Sequence, residues 1–181
     1  MSFKINNSEI IYRGPIFNLR QDIVTLPNGR SMQFDIVDHR DAVTMIPIDQ
    51  NGNIWFIRQY RHPTREELLE LPAGVMEPNE TPKFSAQREI REEIGMRANR
   101  LEKIGGFFLA PGYSTEYMHI FLARDLVPDA LPGDDDEFLC IKKIQSEHAF
   151  RMAEKGQIQD AKTIISLFWV SPFLGNLSTN T

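Results

Sequence analysis

The chain has 181 residues, with 20 Lys and Arg against 25 Asp and Glu and a formal net charge of −5. That acidic balance argues against a nucleic-acid scaffold, no apolar run approaches a membrane span, and a single cysteine, Cys140, excludes an intrachain disulfide. The length suits one main domain with an appendage, here a β unit over 1–40 and a main domain over 41–181. Cys140 lies in an apolar strand and is expected to be a small buried filler. The N-terminus lacks the basic-then-apolar pattern of a signal peptide, so the cytoplasm is the expected compartment. The small polar tail from Gly175 to Thr181 is expected to fray.

Residues 8–39 alternate apolar and polar positions over two segments, Phe17 to Leu26 and Met32 to His39, joined by Pro27-Asn28-Gly29-Arg30. Asn-Gly between strand-like runs signals a hairpin. Such a unit has too little core to stand alone, so it packs on the main domain or on a second subunit, and a two-fold homodimer is expected. The main domain opens with a strand from Ala42 to Ile48, turns at Asp49-Gln50-Asn51-Gly52 and returns as Ile54 to Tyr60. Leu68 to Gly74 then leads to a helix over 82–94, which Thr81 caps, Pro82 begins and Gly95 stops. Further strands are expected over Leu101 to Phe108, Tyr117 to Ala123 and Phe138 to Ile144. Ser146 is expected to cap a helix ending near Gly156, and Asp160 to open a last helix through Ile164, Leu167 and Phe168. Strands interleaved with a few helices imply a mixed sheet covered on its faces by helices.

The helix over 82–94 carries an unusual charge pattern. Glu89 and Glu93 are one turn apart and Glu92 lies three residues from Glu89, so the three carboxylates leave one flank. Ala86, Ile90 and Ile94 form an adjacent apolar stripe, which leaves Lys83 and Arg91 to face solvent. Three like charges repel, and they sit in the half of the helix where the macrodipole disfavours anions, so a cation is expected among them. Oxygen ligands without His or Cys suit Mg2+, or Mn2+, rather than zinc. His39, His62, His119 and His148 are scattered and show no ligand spacing.

The same region reads Gly74, five residues, Glu80, seven residues, Arg88-Glu89-Ile90, one residue, Glu92-Glu93, one residue, Gly95-Met96. Chance would produce that combination in on the order of one window in 10^9. It resembles the Nudix box, complete and without departures, the signature of enzymes that hydrolyse a nucleoside diphosphate linked to another moiety. The resemblance implies an α/β/α sandwich, with Glu89 and Glu93 as primary metal ligands, Glu92 as a third and the Ala73 carbonyl as a backbone ligand. Arg88 would orient the metal-binding carboxylates, and Glu80 would hold the preceding loop.

Neighbouring segments narrow the branch. Glu70-Leu71-Pro72-Ala73-Gly74, Gln59-Tyr60-Arg61, Asp160-Ala161-Lys162-Thr163 and Ala110 to Glu116, with Pro111 placed 16 residues after Gly95, are similar to ADP-ribose pyrophosphatases and related nucleoside diphosphate sugar hydrolases. ADP-ribose is the leading substrate, cleaved to AMP and ribose 5-phosphate. A GDP-mannose or broad sugar-nucleotide pyrophosphatase is the alternative, and a non-catalytic nucleotide-sugar sensor is an alternative of another class. Family members often supply the base from an acidic loop outside the box; here that is Gly133 to Glu137, with Glu137 as base or extra metal ligand and Asp135 as the second choice. Glu116 is a further candidate for positioning water. Arg58 and Arg61 could grip phosphate or the terminal ribose through forked hydrogen bonds, or one could pair with Glu66 or Glu67. Phe17, Phe34 and Tyr113 could stack on a base, or belong to the core.

Overall fold

The computed structural model describes residues 2–133 and 138–174. Asp135 and Glu137, and the tail after Leu174, lie outside the described residues. The chain divides into two compact units, one of Met1–Asp41 with Phe107–Tyr117, the other of Ala42–Gly106 with Met118–Thr181.

The first unit is a three-stranded antiparallel sheet, β1 (Lys4–Arg13), β2 (Phe17–Thr25) and β3 (Ser31–His39), in the order β1-β2-β3. β2 and β3 pair without interruption from Phe17↔His39 to Thr25↔Ser31. Their turn is closed by Leu26 N–H to the Arg30 carbonyl at 2.8 Å, with Gly29 at φ 81°, a left-handed conformation that costs a residue without Cβ nothing. The expected hairpin is thus present, but β1 adds a strand that the alternation did not reveal. Its register against β2 shifts between Ile5 and Asn7 and again between Ile10 and Tyr12. Each extra residue reverses the in-out order, which erases a period-2 pattern over ten residues. The 107–117 segment is stitched to β3: Val37 N–H donates to Tyr113 O at 2.8 Å, Thr115 N–H to Val37 O at 3.0 Å, and His39 N–H to Thr115 Oγ1 at 2.8 Å.

The second unit holds β4 (Ala42–Pro47), β5 (Asn53–Arg61), β6 (Glu66–Glu70), β7 (Ala73–Val75), α1 (Pro82–Ile94), β8 (Met96–Phe108), β9 (Tyr117–Pro128), β10 (Cys140–Gln145), α2 (Ser146–Glu154) and α3 (Ala161–Leu174), although β8 and β9 run past its limits by a residue or two. Its strands form two sheets rather than one. The mixed sheet runs β7-β4-β9-β8, with β4 and β9 parallel; the antiparallel sheet runs β10-β5-β6. The expected strand from Ile54 to Tyr60 is present as β5, after a turn closed by the Gly52 N–H on Asp49 O at 3.0 Å. A bridge between Ile48 and Ile54 links the end of β4 to β5, which otherwise pairs within the second sheet. Both strands are apolar runs, and such runs fit any buried neighbour equally well.

Helices cover these sheets in an α/β sandwich, with α1 against β4, β5 and β7, α3 against β4, and α2 against β5 and β10. The main core gathers Val43, Met45, Trp55, Ile57, Phe121 and Ala123 with Ala86, Ile90 and Ile94 of α1. Asp160 does open α3, its Oδ2 accepting the Thr163 N–H at 3.0 Å. Two local expectations are corrected. Ser146 is the first residue of α2, not its cap; Gln145 holds the cap position without a side-chain bond. Cys140 is exposed rather than buried, because β10 is an edge strand whose residues mostly face outward.

Candidate metal centre

The helix α1 starts and stops where local chemistry directs. Thr81 Oγ1 accepts the Phe84 N–H at 3.3 Å, Pro82 occupies the first position, and Gly95 closes the helix at φ 68° with its N–H on Ile90 O. With Ala86, Ile90 and Ile94 fixed in the core, the flank carrying Glu89, Glu92 and Glu93 is fixed as well. Glu89 and Glu93 are 9% and 6% exposed, and Glu92 is half-buried.

Arg88 organises this flank. Its Nε and Nη2 fork onto both oxygens of Glu80 at 2.8 and 3.0 Å, while Nη1 lies 2.8 Å from Glu89 Oε1 and 2.8 Å from Glu92 Oε2. The fork holds the Glu80 carboxyl well below the usual range, at about 2, against burial, which pushes it up; the Glu77 N–H at 2.9 Å adds to the effect. The Arg88 guanidinium is correspondingly held in its charged form, the Glu80 hydrogen bonds outweighing burial. Glu93 Oε2 accepts the Ala73 N–H at 2.9 Å, which ties α1 to the start of β7. A Cβ on Gly74 would overlap the Glu89 carboxylate, so only glycine admits that side chain here.

Three carboxylates, Glu80, Glu89 and Glu92, thus surround one guanidinium, and with Glu93 beside Glu92 on the same helix the five side chains carry a formal charge of −3. In a half-buried setting such an excess is costly, and a divalent cation lowers the cost. The donor atoms are all carboxylate or carbonyl oxygen, the chemistry that suits a hard divalent ion, although among the described residues no three acidic side chains converge closely enough to enclose one. Arg88 is brought onto Glu89 and Glu92, and Ala73 onto Glu93.

The remaining sequence candidates are placed as follows. Arg61 is engaged by Glu70, Nε to Oε1 at 2.8 Å and Nη2 to Oε2 at 2.7 Å, not by Glu66 or Glu67. Arg58 is exposed on β5, opposite Leu69 of β6. Phe17, Phe34, Tyr113 and Glu116 belong to the first unit: Phe17 and Tyr113 are exposed, Phe34 and Glu116 half-buried, and the Glu116 N–H donates to Ser114 Oγ at 3.2 Å. Arg91 does not face solvent as expected. It is half-buried and binds Asp129, Nη2 to Oδ1 at 3.0 Å and Nε to the carbonyl at 3.2 Å, because the chain after β9 crosses that side of α1. Lys83 is exposed.

Sequence reasoning overlooked a buried ionic cluster. Glu70, almost fully buried, binds Arg61 and also Lys162 of α3, itself buried. Burial pushes the Glu70 carboxyl up, but the Arg61 hydrogen bonds and the Lys162 charge prevail and hold it below its ordinary range. The only signal available was an acidic residue inside the apolar run Leu68-Leu69-Glu70-Leu71, which demands a partner.

Residues 38–167 match the family described as NUDIX domain. The chain belongs to the NUDIX domain family. Within this NUDIX protein, residues 3–32 also match the nucleoside diphosphate sugar hydrolase N-terminal domain. It is 35% identical to an ADP-ribose pyrophosphatase of Bacillus subtilis (strain 168), over 88% of this chain and 87% of that protein. It is 33% identical to a methanol dehydrogenase activator of Bacillus methanolicus, over 91% and 90%. Its fold is similar to that in a crystal structure of an ADP compounds hydrolase, with a TM-score of 0.88, 28% identity and coverage of 98% of this chain and 96% of the other.

Proposed function

We propose that this NUDIX protein is a Mg2+-dependent pyrophosphohydrolase of nucleoside diphosphate sugars, with ADP-ribose cleaved to AMP and ribose 5-phosphate. The observation that carries the reading is the group of three carboxylates held about one guanidinium on and beside α1, with Glu93 on the same helix tied to Ala73. The match of residues 3–32 and the Bacillus subtilis relative support the substrate class.

Glu89, Glu92 and Glu93, with the Ala73 carbonyl, would hold Mg2+, or Mn2+ in its place. When bound, the ion neutralises diphosphate oxygens and lowers the pKa of the attacking water. Arg88 keeps the carboxylates turned toward one another. In the reaction a water oxygen forms a bond to one phosphorus, the bridging P–O bond breaks, and the water's proton passes to a base. We assign that base to Glu137, which could also serve as an extra ligand, or to Asp135, and water positioning to Glu116. Arg58 is left exposed for phosphate or ribose, whereas Arg61 is committed to Glu70. Phe17 and Tyr113, both exposed, are proposed to stack on the base. The protein works in the cytoplasm as a homodimer joined through a β unit over 1–40, beside a catalytic domain over 41–181. Exposed Phe3, Ile5, Ile11, Tyr12 and Ile16 support that interface.

The test is product release from ADP-ribose and GDP-mannose with Mg2+ by wild type and Glu93→Gln. The variant should lose at least the roughly 10–100-fold that removing even an outer partner of a metal site costs. Absence of metal-dependent turnover on every sugar nucleotide would favour a sensor instead.

A further inference from the structure

Four consecutive residues that lead into β7 are each pinned by a different part of the second unit. Glu70 is held by Arg61 of β5 and Lys162 of α3. The Leu71 N–H donates to Thr163 Oγ1 at 2.8 Å, across 92 residues of sequence. The Pro72 carbonyl accepts from the Met45 N–H at 2.9 Å and Thr44 Oγ1 at 3.2 Å. The Ala73 N–H donates to Glu93 Oε2 at 2.9 Å. Of these anchors, the sheet supplies the ones on Pro72, and α1 the one on Ala73. The Leu71 N–H is held by α3, while its side chain is buried in the core.

The geometry at α3 is specific. A threonine hydroxyl has one proton to give, and Thr163 gives it to Asp160 Oδ2 at 2.6 Å. That leaves a lone pair for Leu71. Asp160 is fixed in turn by the Thr163 N–H at 3.0 Å and by Lys162 Nζ at 3.1 Å. Thr163 is fully buried, so without its oxygen the Leu71 N–H would lie in the protein interior with no acceptor. A valine fills the same space without the oxygen.

We infer that Thr163, oriented by Asp160, is a positioning residue for the carboxylates of α1: by fixing Leu71 it sets where the Ala73 N–H meets Glu93. The inference rests on the hydrolytic role proposed above for that site. Its element is α3, which supplies none of the acidic side chains of the Nudix box. Leu71, Pro72 and Ala73 form a short rigid link, since proline fixes the middle φ and both its neighbours are hydrogen-bonded. A change at Leu71 is passed along this link to Ala73, whose other support is its pairing opposite Thr44 of β4.

The experiment compares wild type, Thr163→Val and Thr163→Ser by amide hydrogen exchange at Leu71 and Ala73 in metal-free protein, by Mn2+ binding followed by electron paramagnetic resonance, and by Mg2+-dependent turnover. Valine should speed Ala73 exchange and weaken Mn2+ binding by about 10–100-fold, and serine should restore both to within about twofold of wild type. Ala73 exchange and Mn2+ affinity within about twofold of wild type in the valine variant would overturn the inference, even if its melting temperature fell. A serine variant as impaired as valine would overturn it too. If the valine variant does not fold, Asp160→Ala keeps the hydroxyl but frees its rotation, and the same exchange measurement decides. Wild type without turnover, together with fast Ala73 exchange in the valine variant, would sink the proposed activity and leave the positioning role standing.

Discussion

Replacing Glu80 by glutamine removes the charge from one end of the Arg88 fork while keeping its shape. In the folded protein the Glu80 carboxyl is held down to about 2 by the Arg88 hydrogen bonds, from its ordinary 4.5. Between those two pH values the unfolded chain binds a proton that the folded chain refuses. The stabilisation is therefore complete above pH 4.5 and is lost as pH falls from there toward about 2. At about 1.4 kcal/mol per pH unit, that window corresponds to about 3.5 kcal/mol at most. Water reaches the pair, since the two side chains retain 18% and 9% exposure, and this screening brings the expected value to about 1–2 kcal/mol. Urea unfolding followed by circular dichroism, without divalent metal, at pH 7, 5, 3.5 and 2.5 measures it. Wild type should exceed Glu80→Gln by about 1–2 kcal/mol at pH 7, and the two should converge toward the acid end. Carboxylates remote from Arg88 titrate in both proteins and cancel in the difference, whereas Glu89 and Glu92, which share Arg88, contribute to it. A gap that is unchanged or wider at pH 2.5 would refute the reasoning.

Gly74→Ala should fold but expel the Glu89 carboxylate from its place, weakening Mn2+ binding and turnover by about 10–100-fold; titration within about twofold of wild type would show that Glu89 can move without consequence. Light scattering at micromolar concentration should give the mass of two chains, and removal of residues 1–16 should give one; a full-length monomer would reject the proposed assembly.

What could be read from the sequence was what neighbours in the chain decide. Thr81, Pro82 and Gly95 fix both ends of α1 through bonds within three or four residues, so the helix falls on the expected positions. The placing of Glu89, Glu92 and Glu93 on one flank follows from helical geometry alone, whereas bracing roles were expected of Arg88 and Glu80 without their fork onto each other. Partner choice was less legible. That β5 leaves β4 for β6 and β10, and that Glu70 meets Lys162 92 residues later, depends on how buried surfaces compete at long range. Arg91 was assigned to solvent because its partner, Asp129, lies 38 residues away. Cys140 shows the same limit from the other direction: apolar neighbours in sequence suggested burial, while its place on an edge strand decides exposure.

Among the described residues β1 pairs on one side only, and the two interruptions in its register leave Asn7–Ile10 as its longest straight run of ladder. Four residues are too short a template for the long, flat stacking on which fibrils grow. A strand rich in isoleucine and tyrosine can thus stay open along one side, and substitutions that even out its kinks would be the ones to turn a soluble stock into insoluble material.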